Sequence, residues 1–332
     1  MSEAATLVLE FSAVAAAAGA HPSAQLLSVA AAGLRAQSAV MTAAAGHNGL
    51  VTAKFISTST GKFTGGSVVT LGARVDSYYE YLLKAWLHSG KLATDPRLRA
   101  YQDAVHAITT QLLVRSPTHD FVYVAELDNG RLIAKMDHLV CFYPGLLALG
   151  HAHGVRPRPE HAEREQLALA ALGLGDSATQ LDAARAITAA CRAMYTASPT
   201  HLGPEIAYYE GDEGVQIHKG DGHSLLRPEY VESLFILWRV TGEQQYRDWG
   251  WEVAQAIETH ARVPSGGYAS IENVMAQPDS VVQRDHMESF FVAETLKYLG
   301  MLFDDRADTV NLSEWVLNTE AHPLPIMKKA SS

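Results

Sequence analysis

An all-α fold with small β-hairpins is predicted by three features of the sequence. Apolar residues recur at helical spacing through most of the 332 residues. Strands do not alternate with helices and no glycine-rich phosphate loop is present, which argues against a parallel sheet. The segments between the periodic stretches are short and punctuated by Gly, Asn and Asp.

In chain order, the first helices are expected over about 3–18 and 23–44, where alanine favours helix, with a break near Gly19 and Pro22. Two runs, 49–57 and 62–72, flank Ser59-Thr60-Gly61 and read as a hairpin. Helices follow over about 74–89 and 95–115, then a second hairpin over 122–136 that turns at Asp128-Asn129-Gly130. The remaining helices are expected over about 139–150, 160–173, 179–196, 228–241, 244–260 and 285–303. Pro228 suits a first helical position and Gly242 a C-terminal stop. HGVRPRPEHA reads as a surface loop, so 1–332 is taken as a single domain.

With 48% hydrophobic and 19% charged residues the chain can bury a sizeable core. A formal net charge of −10 argues against nucleic-acid binding, which needs a basic face. An acidic site suits a cation or a neutral polyol instead. Cys141 and Cys191 are too few for a disulfide scaffold or a zinc ribbon. They are either two buried thiols or, in an oxidising compartment, one disulfide. No unbroken apolar run reaches the ~18 residues of a spanning helix, and MSEAATLVLEF lacks a basic leader region, so no membrane segment is expected in this chain. Asn311-Leu312-Ser313 is a glycosylation sequon.

The informative residues are acids. LLRPEYVESLF sets Glu229 and Glu232 on one helix face within an otherwise apolar segment. DSYYEYLLKAW (76–86) and MESFFVAETLKYL (287–299) echo it: an acid, aromatics, a second acid, then apolar residues. Burying carboxylates is expensive, so repeating it needs compensation. Arginine pairing (Arg74, Arg227, Arg284), a divalent cation, or glycoside hydrolysis by two carboxyls across a sugar ring would each supply it. No HExxH, CxxC or GxSxG motif offers competing chemistry.

LGARVDSYYEYLLKAW, KMDHLVCFYPGLLALG, LLRPEYVESLFILWRVTG, YRDWGWEV, RVPSGGYASIENV, RDHMESFFVAETLKYLGMLF and LNTEAHPLPI, in this order, resemble class I α-1,2-mannosidases of glycoside hydrolase family 47. The resemblance runs from TLVLEF to HPLPI and is stronger to the endoplasmic reticulum and Golgi processing enzymes than to the degradation-enhancing branch. It implies an (α/α)7 barrel plugged by a β-hairpin. It implies calcium-dependent removal of terminal α-1,2-linked mannose from high-mannose N-glycans, with inversion, in the lumen of the secretory pathway. An inverting site needs a base for water and an acid for the leaving oxygen, roughly 6.5–9.5 Å apart.

By the same resemblance, Glu229 is the general base and Asp76 a second catalytic carboxylate. Arg74 and Arg227 orient acids and sugar hydroxyls. His138, Leu139, Phe290, Glu294, Glu320 and Glu10 line the mannose subsite. Thr319 ligates Ca2+ through its hydroxyl and carbonyl, and Cys141 and Cys191 form a disulfide. Glu80 and Glu232 are expected to hold their neighbours in place. The chain is short for the family: the resemblance implies a barrel without its first helices and without a residue matching the general acid. The alternative is therefore a glycan-binding or incomplete remnant that does not turn over.

Overall fold

The computed structural model describes residues 2–18, 23–117, 119–210, 214–306 and 309–328. Its helices are α1 (Ser2–Ala5), α2 (Leu7–Ala17), α3 (Ala24–Ala45), α4 (Asp76–His88), α5 (Pro96–Gln111), α6 (Tyr143–Ala152), α7 (Pro159–Ala171), α8 (Gln180–Thr196), α9 (Glu229–Thr241), α10 (Gln245–His260) and α11 (Leu296–Phe303). A 3-10 turn, His138–Phe142, leads into α6, and a π-helical turn, Phe291–Thr295, leads into α11.

Patterning sorts these helices into two layers. α4 is buried from Tyr78 to His88, α6 from Tyr143 to Gly150 and α9 from Tyr230 to Leu237. A helix buried on nearly every side has to lie inside others. These three, with α2 and α11, form a curved inner row in which α4 packs on α2 and α6, and α9 on α6 and α11. The outer helices are amphipathic: α8 buries Ala183, Ala184, Ile187 and Met194 and turns Arg185 and Arg192 outward. α3 backs α2, α5 backs α4, α8 backs α6, and α10 backs α9 and α11.

The inner helices share a direction. The N-terminal ends of α4 and α9, the 3-10 turn and the π-turn all meet at one cavity. Each helix start carries partial positive charge on unpaired amides, which favours carboxylates in the first turn. Asp76 opens α4, and Glu229 and Glu232 lie in the first turn of α9.

Small two- and three-stranded sheets cover the ends. Phe55–Ile56 pairs with Phe63–Thr64, and Glu126–Asp128 with Arg131–Ile133 across Asn129 and Gly130, both at positive φ. Both expected hairpins are present, though shorter than expected, because Val68–Val69 leaves the first to pair with Glu126–Asp128. Other expectations need correction. The expected 3–18 helix is interrupted at Thr6, whose hydroxyl bonds the Ser2 carbonyl. The break near Gly19 and Pro22 falls outside the described residues. The 95–115 helix stops at Gln111, since Leu113–Arg115 is taken up as a strand against Val122–Val124. The helix expected from 285 starts only at Ser289, and Pro228 caps α9 instead of opening it. α3, 22 residues with mean hydropathy 1.2, has the length and composition of a spanning segment, which no stretch was expected to have. It carries Arg35 and a buried Gln37, and packs on α1, α2 and α5.

Cys141 and Cys191 form a disulfide between the 3-10 turn and α8. It closes a loop of 50 residues, which in the chain-entropy view removes about 4 kcal/mol of freedom from the unfolded chain. Replacing both cysteines by alanine is expected to cost roughly 2–4 kcal/mol, read as a lower urea midpoint with a steeper slope, because the unfolded chain without the bridge is more extended.

Candidate active site

The cavity at the helix starts has a volume of about 180 Å³ and collects Asp76, Glu80, Glu229, Glu232, Glu294 and Glu320 around Leu139, Phe142, Arg227, Phe290 and Thr319. Larger hollows open elsewhere, but one of about 870 Å³ beside Lys91, Arg239 and Asn311 is lined by no acid and the others by a single glutamate each.

The loops that deliver these side chains are held in left-handed backbone at non-glycine residues: Arg74 (φ 77°) before Asp76, Leu226 (φ 59°) before Arg227 and Ala321 (φ 57°) after Glu320. Such conformations cost about 1–3 kcal/mol each and persist only where surroundings enforce them. Here each of the three carbonyls is gripped: Arg74 by the Ser2 amide (2.9 Å), Leu226 by the Thr295 hydroxyl (2.7 Å) and Ala321 by the Lys297 ammonium (3.1 Å).

On one wall, Oε2 of Glu229 lies 2.9 Å from Nδ1 of His138, whose Nε2 lies 2.7 Å from the Tyr195 hydroxyl. Arg227 donates through Nε and Nη2 to both oxygens of Glu205, at 2.8–2.9 Å, and stacks over Phe290 at 5.4 Å. Burial pushes the Glu229 carboxyl up, but the hydrogen bond from His138 and the nearby Arg227 charge oppose it, and the group sits below the ordinary glutamate value. Glu229 is therefore a carboxylate at neutral pH.

On the facing wall, Oδ1 of Asp76 accepts the Ser2 hydroxyl (2.7 Å) and the Ser77 amide (2.9 Å). Burial outweighs both bonds and, with the charges of Glu229 and Glu80, raises this carboxyl to about 6. The Ser2 contact brings α1 to the cavity rim, and the next residue along α1 is Glu3, which is exposed.

The floor is made by Glu80, Glu232, Glu294 and the Thr319-Glu320 turn. Lys84, fully buried, reaches Glu80 at 2.5 Å and Glu232 at 3.1 Å. Burial, then Glu229, Glu320, Glu232 and Glu80, push Glu294 up to about 9. Behind the turn, Tyr81 donates its hydroxyl to Glu10 (2.6 Å) and accepts the Thr319 amide (3.1 Å). Asn318 donates to Glu10 (3.1 Å) and accepts the Glu320 (3.0 Å) and His322 (2.7 Å) amides.

Comparison with known proteins fits this geometry. Residues 1–326 match glycosyl hydrolase family 47. The chain belongs to that family. An endoplasmic reticulum mannosyl-oligosaccharide 1,2-α-mannosidase from Homo sapiens is 46% identical over 281 residues, covering 83% of this chain and 37% of that protein. A mannosyl-oligosaccharide α-1,2-mannosidase IA from Drosophila melanogaster is 42% identical over 273 residues, covering 82% and 37%. The chain thus spans less than half the length of these relatives. Among solved structures, the α-1,2-mannosidase from Trichoderma reesei superposes with a TM-score of 0.77 at 25% identity over 98% of this chain and 66% of that one. A D-mannose isomerase matches in fold alone, with a TM-score of 0.53 at 12% identity over 98% and 79%. The two-layered helices are those of the family's (α/α)7 barrel.

Of the residues expected at the site, Asp76, Leu139, Arg227, Glu229, Phe290, Glu294, Thr319 and Glu320 line this cavity together. His138 stands directly behind Glu229. Two expected residues are set apart from the cavity. The Arg74 guanidinium lies over Phe55 at 5.3 Å, and Glu10 braces the Thr319 turn from behind through Tyr81 and Asn318. Arginine pairing was one offered explanation of the buried acids, yet the cation between Glu80 and Glu232 is Lys84, and Arg227 pairs with Glu205. Lys84 was readable as the i+4 partner of Glu80. Glu205 and Tyr195 lie far from any acid motif and carried no local signal.

Removing Lys84 strands two buried carboxyls. Lys84→Met is expected to destabilise the protein by about 3–5 kcal/mol near neutral pH. The loss shrinks as pH falls, because carboxyls whose folded values are raised give up stability on ionising, not on protonating. Urea unfolding at pH 7.5 and pH 5 measures both.

Proposed function

We propose that this chain hydrolyses terminal α-1,2-linked mannose from high-mannose N-glycans with inversion, in the lumen of the endoplasmic reticulum or Golgi. The observation that carries the reading is the pair of facing carboxyl walls with opposed proton affinities: Glu229 held charged, Asp76 raised to about 6. Divergent environments for two carboxyls assign a base and an acid. The relatives' mannosidase names support the substrate, and the Phe290 ring offers a flat face to a sugar.

Glu229 takes a proton from a water whose oxygen attacks the anomeric carbon from the opposite side to the leaving oxygen. As the glycosidic C–O bond breaks, the leaving oxygen takes a proton from the Asp76 side, either from Asp76 itself or from Glu3, the neighbour of the Ser2 that bonds Asp76. Arg227, fixed by Glu205 and Phe290, orients sugar hydroxyls.

The floor fits calcium. Among the described residues no three His, Cys, Asp or Glu side chains form a cage, but the donors are all hard oxygens. Thr319 offers hydroxyl and carbonyl, the Thr319 hydroxyl already bonds Glu80, and the crowding that raises Glu294 marks a place short of positive charge. When bound, the cation supplies positive charge and an anchor for sugar hydroxyls.

Mannose release from a high-mannose glycan tests the reading. Glu229→Gln is expected to cost at least ~100-fold while leaving the fold intact; unchanged turnover refutes the base. Activity requires Glu229 ionised and the donor protonated. It therefore falls at low pH as Glu229 protonates, and again as pH rises through the donor's value, about 6 if Asp76 is the donor. Asp76→Asn and Glu3→Gln distinguish the two: the donor's variant loses the upper limb. Glycan binding by the unmodified chain without turnover supports the remnant alternative.

Calcium has a readout apart from activity. Asp76 and Glu294 have folded values, about 6 and about 9, above their ordinary 3.8 and 4.5. Their contribution to stability is present below the ordinary values and is lost as pH rises through the folded ones. Calcium is thus expected to raise the melting temperature more at pH 8 than at pH 5, chelation to reverse it, and Thr319→Ala to reduce it.

A further inference from the structure

Behind Glu229 a line of buried polar contacts leads away from the cavity. His138 is 2% exposed, with Nδ1 at 2.9 Å from Glu229 and Nε2 at 2.7 Å from the Tyr195 hydroxyl. Tyr195 comes from the last turn of the outer helix α8 and does not line the cavity. Its ring is held against Tyr230, centroids 4.8 Å apart. Gly203 covers its other contacts: a Cβ there would stand 2.6 Å from Cζ of Tyr195 and 3.0 Å from Cδ2 of His138. Only glycine allows that approach.

We propose that Tyr195 is a positioning residue for the base: its O–H donates to Nε2 of His138 and thereby holds the imidazole as the Nδ1–H tautomer aimed at Glu229. The proposal rests on the reading of Glu229 as base. A carboxylate only accepts, and a neutral imidazole has a single N–H. The opposite tautomer would set the Nδ1 lone pair against carboxylate lone pairs in a buried place. The other nitrogen's hydrogen bond decides which tautomer forms. Tyr195 can make that choice because burial holds its hydroxyl well above the ordinary tyrosine value, so it keeps its proton. Glu229 is also faced by Arg227 from its own loop, Asp76 from α4 and Glu294 from the π-turn. Glu205 lies beyond Arg227. None of these is altered by removing the Tyr195 oxygen.

The 15N spectrum of histidine-labelled full chain near pH 7, with His138 assigned by its loss in His138→Gln, reads the tautomer directly. A protonated Nδ1 with a bare Nε2 is expected; an Nε2–H tautomer or a doubly protonated ring overturns the proposal. Tyr195→Phe keeps the ring and its packing. It is expected to lower kcat about ten-fold, as for truncating a buried hydrogen-bond partner, with KM within about two-fold. The acidic limb of the pH profile, which reports Glu229, moves to higher pH. A folded Tyr195→Phe with kcat and limb unmoved overturns the proposal, and should this variant not fold, the spectrum of the unmodified chain still decides. Glu229→Gln separates the two readings. If it retains turnover, the base assignment fails; if it is inactive while Tyr195→Phe behaves as the parent, the positioning role alone fails.

Discussion

Six carboxyl groups share one cavity of about 180 Å³, and their mutual repulsion is the constraint on which the architecture depends. The fold answers it in three ways. Helix starts aim unpaired amides at the acids of the α4 and α9 first turns. Two cations are built in, Lys84 in the floor and Arg227 at the wall, each locked by a carboxylate. The remaining repulsion is left uncompensated by protein, and it shows in the high proton affinity of Glu294. A site that neutralised every acid with arginine would be more stable and would have no differentiated proton affinities to use.

The same economy explains the layering. Outer helices supply braces instead of ligands. α8 contributes Tyr195 behind His138 and Cys191 behind the 3-10 turn, so one outer helix steadies the loop that carries Leu139 and the helix that carries Glu229. Glu10, from the inner row, reaches across to the Thr319 turn through Tyr81. The Glu229 wall and the floor are therefore each held by residues distant in the chain.

What was legible in the sequence follows from range. Helices with their own periodicity, such as α4, α8 and α9, announce themselves, and so does the turn at Asn129-Gly130. Asp76 and Glu229 were legible because each opens a helix inside an apolar segment. Contacts set by assembly were not. Val68–Val69 reads like the arm of its own hairpin and pairs with Glu126–Asp128 instead. Arg227 reads like a partner for Glu229 or Glu232, yet finds Glu205. Arg74 sits beside Asp76 in sequence, while its left-handed backbone turns the guanidinium onto Phe55.

That left-handed backbone recurs at Leu226 and Ala321, and the three kinked residues share a consequence. A rim already bent against its preference, and clamped at each carbonyl, has little slack with which to adapt to a guest. On the proposed hydrolysis the sugar would then be the softer partner: its ring would be flattened by a mould that does not yield, and discrimination among hexoses would become a question of which ring deforms most cheaply.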